Sequence, residues 1–128
     1  MIVLDTHAFV WFAVESDRLS SRARHAIGLA DALGVCAITC WEVAMLVEKE
    51  RLRLDRDTLE FLRQALALPR VELLPLTTEV SVAAARLAAT TLADPADRMI
   101  AATALEAEAA VVSRDARLRG VAGLKTIW

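Results

Sequence analysis

"DPADRMIAATALEAEAAVVS" (94–113) carries a helix start and a buried strand with almost no chain between them. Asp94 stands at a cap position, Pro95 at the first helical position and Asp97 three residues after the cap, which together mark a strong helix N-terminus. Small and apolar residues continue to about residue 109, and "AVVS" (110–113) reads as a short apolar strand. A helix that runs straight into a strand must end at the strand's starting edge. About fifteen residues rising ~1.5 Å each span roughly 22 Å, so the helix begins at the opposite, carboxyl edge of the sheet. A return of that kind belongs to a parallel α/β sheet.

The flanking sequence agrees. Residues 2–5 of "MIVLDTHAFVWF" read as strand one, with 7–15 and 20–33 helical. "GVCAI" (34–38) is the predicted second strand, followed by a helix through "CWEVAMLVEKERL" that Thr39 would cap, with Glu42 at the capping-box position. Asp57 or Thr58 opens a further helix to about Leu68, where Pro69 stops it. "VELLP" (71–75) reads as strand three, Thr78 to about Ala89 as helix, and "LKTIW" (124–128) as strand five. Short apolar strands alternating with helices predict an α/β fold on a mostly parallel sheet.

The 128 residues show no repeat, linker or low-complexity tract, so one domain over 1–128 is expected. The apolar fraction is 56%, yet no run approaches the ~20 residues of a membrane span; the surplus points to buried helices and a partner surface. No basic segment precedes strand one, and Cys36 and Cys40 make no disulfide framework. A cytoplasmic protein is the expectation. A net charge of −2 sets up no global field for nucleic acid, although thirteen of the fifteen basic residues are arginines, the side chain suited to bidentate phosphate contacts.

Four acids share one topological address. Asp5 ends strand one, Asp115 follows strand four in "VVSRD", and Glu42 and Asp97 fall in the first turns of helices beginning at the carboxyl edge. Parallel α/β sheets bind ligands at that edge. Each acid has a bland reading: Asp97 and Glu42 as capping-box partners, Asp115 as a turn residue, Asp5 as a cap. Their joint placement carries the functional one. Clustered carboxylates repel unless a hard cation sits among them, and Mg²⁺ or Mn²⁺ prefers such oxygens together with substrate phosphate. Paired ions ~3.5–4 Å apart suit in-line phosphodiester hydrolysis, with no need of a nucleophilic Ser, Cys or His. Thr6 and Ser113 flank the acids and read equally as supporting hydroxyls or as turn formers. Arg98 reads as a steadying cation or a surface charge, and His7 as positional. Cys36, Cys40 and His25 fall short of a zinc site. Trp11, Phe12 and Trp41 read as core, with a partner face as the alternative for Trp11 and Phe12.

Taken in order, "VLDTHAFVW", "TCWEVAML", "DPADRMIAATA", "VVSRDARL" and "KTIW" resemble the PIN-domain ribonucleases, above all the VapC-like toxins of type II toxin–antitoxin pairs. The resemblance covers nearly the whole chain. It implies a three-layer fold with a five-stranded parallel sheet, an acidic quartet of Asp5, Glu42, Asp97 and Asp115 binding Mg²⁺ or Mn²⁺, and cleavage of RNA. Within the quartet, Asp5 would be the central ligand. It further implies a homodimer and an antitoxin whose C-terminal segment occupies the toxin's groove. Many relatives carry Ser where this chain has Cys36, and a polar residue within the stretch that here reads "TLA" (91–93); both bear on substrate choice rather than on the acids.

Rival readings fit less well. An aspartyl phosphatase wants Asp-x-Asp after strand one, and residue 7 is His. A receiver domain wants an Asp after strand three and a Lys after strand five, which are absent. A catalytically silent PIN-fold module for dimerisation or antitoxin binding is the alternative, and a divalent-ion-dependent RNA cleavage assay separates it from an active nuclease.

Overall fold

The computed structural model describes residues 1–87 and 92–128. In chain order its elements are β1 (Ile2–Leu4), α1 (Thr6–Ala13), α2 (Ser21–Leu29), β2 (Leu33–Cys36), α3 (Ala37–Glu48), α4 (Thr58–Leu66), β3 (Val71–Leu74), α5 (Thr78–Arg86), α6 (Pro95–Glu106), β4 (Ala110–Val112), a 3₁₀ turn (Ala116–Gly120) and β5 (Thr126–Ile127). The five strands form one sheet in the order β3-β2-β1-β4-β5, and every pairing is parallel. The central strand aligns Leu4 with Val35 of β2 and Val112 of β4, so the three carboxyl ends lie side by side.

Strand alternation builds two cores from one sheet. Leu4, Leu33, Val35 and Val112 face one way, onto Phe9 of α1, Ile27 of α2 and Phe61 of α4. Val3, Cys36 and Val111 face the other way, onto Ile100, Ala101 and Ala104 of α6. Alanines let α6 lie close to the sheet, and Ala102 and Met99 on its outer side pack with Val80 and Ala84 of α5. The result is the expected three-layer α/β architecture.

Several boundaries differ from the sequence reading. The predicted second helix runs to residue 33, but α2 stops at Leu29 and Leu33 opens β2. Its stop comes from far away: the Arg70 guanidinium donates to the carbonyls of Ile27 and Ala30, at 3.0 and 2.6 Å. Ala37 and Ile38 belong to α3 rather than to β2, so the cap of α3 is Cys36, not Thr39. Thr39 is instead fully buried within the helix. The same shift moves Glu42 from the first turn of the helix into the second. The expected end of the fifth helix near Ala89 lies outside the described residues. Trp41, read as core, is 59% exposed.

Candidate metal centre

The aligned carboxyl ends of β1 and β4 open into a cleft of about 460 Å³. Asp5, Glu42, Asp94, Asp97 and Asp115 all line it. All four acids singled out in the sequence therefore meet in one place, and Asp94 joins them.

Each acid is held by a local device. Asp5 follows β1 directly and caps α1, its Oδ1 accepting from the Ala8 N–H at 2.7 Å. At 8% exposure it forms the floor of the cleft, and burial raises its pKa against the opposing pull of the Ser113 hydroxyl and the Ala8 N–H. Glu42 has no capping duty, because the true cap of its helix lies six residues earlier. Its pKa is pushed up to about 7, chiefly by burial and then by the charge of Asp97. Asp97, in the first turn of α6, is raised to about 6 by burial and by Asp94 and Asp115. Asp94 caps α6 through Oδ1, which accepts from Ala96 and Asp97 at 2.8 and 3.2 Å. Asp115 caps the 3₁₀ turn and is gripped by Arg117, whose Nε and Nη2 reach both carboxylate oxygens at 2.6–3.1 Å. That guanidinium holds the Asp115 pKa below its usual value and also reaches Asp97 at 3.6 Å.

Within the cleft the tightest set is Glu42, Asp94 and Asp97, each offering one oxygen within 4.8 Å of the others. Asp5 and Asp115 line the same cleft beside that set. An all-oxygen donor set, carboxyls whose pKa values are raised by burial and by one another's charge, and the buried Thr6 hydroxyl, which has no hydrogen-bond partner among the described residues, together fit a hard divalent cation.

The remaining candidates divide. Thr6 lines the cleft, and its hydroxyl lowers the Glu42 pKa. Ser113 is buried; it accepts from the Asp115 N–H at 2.9 Å and bears on Asp5 as well, joining the two. Arg98 makes no ion pair among the described residues; its Nη2 donates to the Ala93 carbonyl at 3.5 Å. His7 stands exposed at the rim with its ring 5.6 Å from Trp11. Cys36 and Cys40 are free, and burial pushes the Cys36 thiol up to about 11. Sequence reasoning missed Asp94, treated only as a cap. A spacing of three residues between Asp94 and Asp97 on a helix start was the available signal.

A five-stranded parallel sheet with acids gathered at its carboxyl edge is what the resemblance to PIN domains implies. The chain belongs to the PIN-domain family, whose profile, described as "PIN domain", matches residues 2–124. Within it the chain is VapC-like: it is 40% identical over 118 residues to Ribonuclease VapC22 of Mycobacterium tuberculosis, covering 92% of this chain and 89% of that protein. Among solved structures it is similar to VapBC2 from Rickettsia felis bound to a DNA fragment from their promoter, with a TM-score of 0.71 at 18% identity over 98% of this chain and 97% of that one. FitAcB from Neisseria gonorrhoeae gives a TM-score of 0.63 at 25% identity, over 98% and 96%.

Proposed function

We propose that this chain is a Mg²⁺- or Mn²⁺-dependent endoribonuclease and the toxin of a toxin–antitoxin pair, with residues 1–128 acting as one PIN domain. The observation that carries the reading is the cleft itself: five acids from four separate stretches of chain face one space of about 460 Å³. The 40% identity to a ribonuclease of the VapC group supports the substrate class. An antitoxin partner and a homodimer follow from the same relationship, as does residence in the cytoplasm. Among the described residues no helix is long and apolar enough to cross a membrane.

Asp5, Glu42 and Asp97 would hold the ion, with Asp94 at the mouth and Asp115 on the far side beside Arg117. When bound, the ion supplies a water activated for attack and charge to stabilise the departing oxygen. The chain's own contribution is positional. The N–H of Ala8 and the hydroxyl of Ser113 keep Asp5 in one rotamer, and Thr6 offers its unpartnered hydroxyl beside Glu42. Arg117 lies where a phosphate oxygen could replace Asp115 as its partner.

Purified protein incubated with RNA is expected to cleave it when Mg²⁺ or Mn²⁺ is present and to stop on addition of EDTA. Asp5→Asn keeps an acceptor for the Ala8 N–H, so the fold should stand while cleavage is lost. Cleavage that persists in EDTA, or in a folded Asp5→Asn protein, would overturn the reading.

A further inference from the structure

Beside the acidic cleft lies a second groove of about 510 Å³, which shares Trp11 and Arg51 with it. The two pockets adjoin at these residues. Arg18, Arg51 and Arg53 line this second groove. Among the described residues none of the three makes an ion pair, whereas Asp55, the acid in its wall, is neutralised by Arg56 at 2.7 Å. At the junction the Arg114 guanidinium lies over the Trp11 ring, 5.2 Å from its centroid. On a chain of net charge −2, three arginines without an ion pair among the described residues thus line one groove beside its acids.

We propose that this groove carries the sugar–phosphate backbone of single-stranded RNA away from the acidic cleft, with Arg18, Arg51 and Arg53 on phosphates flanking the one to be cleaved. The assignment rests on the nuclease reading above and adds the path of the substrate. An apolar floor that includes Val14 and Leu54 accepts nucleobases or the side chains of a peptide equally well. The unpaired guanidiniums decide for a polyanion, since each can pair with a phosphate at little cost in desolvation. A single strand can lay phosphates along one wall and bases over the floor, which a paired helix cannot do. Specificity at the cut site then depends on bases held in the groove rather than on the acids.

The test is binding of a short unstructured oligoribonucleotide to full-length Asp5→Asn protein in EDTA, followed over a range of salt. Adding Arg18→Gln and Arg53→Gln, both at exposed positions, is expected to weaken binding roughly tenfold. The dependence of log K on log salt should flatten by about 1.4, at ~0.7 per lost phosphate contact on a single strand. Arg63→Gln with Arg86→Gln, exposed on α4 and α5 and away from the groove, should leave both quantities unchanged. Equal losses in the two pairs would mean diffuse attraction and would overturn the path. An isotherm unmoved by the Arg18 and Arg53 changes would also overturn it, and would leave the groove to a protein segment. If wild-type protein cleaves RNA while that isotherm is unmoved, the path fails and the nuclease stands. If the groove variant loses binding yet wild-type protein never cleaves, the path stands and the nuclease fails.

Discussion

A carboxylate at a helix N-cap commits one oxygen to the backbone and keeps the other, and Asp94 illustrates what that allows. Its Oδ1 takes two N–H groups of α6, while the residue also contributes an oxygen to the group with Glu42 and Asp97. The two duties separate by substitution. Asp94→Asn retains the capping oxygen and removes the charge, so its melting temperature should stay within a degree or so of wild type while Mn²⁺ binding, read by calorimetry, weakens. Asp94→Ala removes both, and loss of the cap costs about 1 kcal/mol, or roughly 4 °C. Equal Mn²⁺ affinity in wild type and Asp94→Asn would confine Asp94 to capping. Arg117 poses the complementary case. Its guanidinium occupies both oxygens of Asp115, so a cation approaching that carboxylate must displace it. Arg117 is exposed and Asp115 half-buried, so the pair is worth about 1 kcal/mol at most. Arg117→Gln is therefore expected to tighten Mn²⁺ binding by up to about fivefold; an unchanged dissociation constant would show that Asp115 takes no part in holding the ion.

Element boundaries show where the chain could be read and where it could not. The start of α6 was legible because every signal is local: Asp94, Pro95 and Asp97 are neighbours, and the helix forms where they place it. So was the side of the sheet on which the acids lie, since a helix length and one tight connection suffice to fix it. The end of α2 was not legible. "GLADALG" has no proline, and its stop is delivered by Arg70, some forty residues later, from the turn before β3. Arg70→Ala should therefore speed hydrogen exchange at the Leu29 and Ala30 amides while leaving those of α6 unaffected; equal protection in both proteins would return the stop to local sequence. Thr39 misled for a related reason. A threonine ahead of an amphipathic run is a good cap in isolation, but β2 delivers the chain into helical geometry three residues earlier, at Cys36, whose thiol makes no capping bond. Glu42 looked like a capping partner only because of that error, and its position in the second turn leaves it free to face the cleft. Cys36→Ser would place a hydroxyl where the first turn lacks an acceptor, and a gain of a few degrees in melting temperature is expected; a fall would mean that burial of the hydroxyl outweighs the cap.

At the scale of the whole molecule, the surplus of apolar residues divides between two cores and a surface. Trp41, Leu59, Leu73 and Leu29 are each more than half exposed. Composition could not say where these residues would lie, because exposure at β3 and α3 depends on strand order, and strand order depends on contacts far apart in the chain. The molecule also carries an electrostatic cost concentrated in one cleft. Glu42 and Asp97 have pKa values of about 7 and about 6 in the folded chain, above their values of 4.5 and 3.8 elsewhere. An acid with a raised folded-state pKa keeps a proton that the unfolded chain has released, so over that interval stability falls as pH rises. The loss begins above the unfolded values near 4 and is complete beyond about 7. Asp115 works in the opposite sense, but its lowered pKa places its window below 3.8, outside this range. Metal-free protein is thus expected to melt at a lower temperature at about pH 8 than at about pH 5. A divalent cation removes the repulsion and needs the ionised carboxylates, so it should stabilise more at the higher pH. With Mn²⁺ at ~100 times its dissociation constant the gain is about 2.7 kcal/mol. Thermal melts in EDTA and in Mn²⁺ at the two pH values decide the matter. A metal-free melting temperature that rises toward pH 8, or an equal Mn²⁺ gain at both pH values, would show that the carboxyls of Glu42 and Asp97 do not hold the protons that this cleft assigns to them.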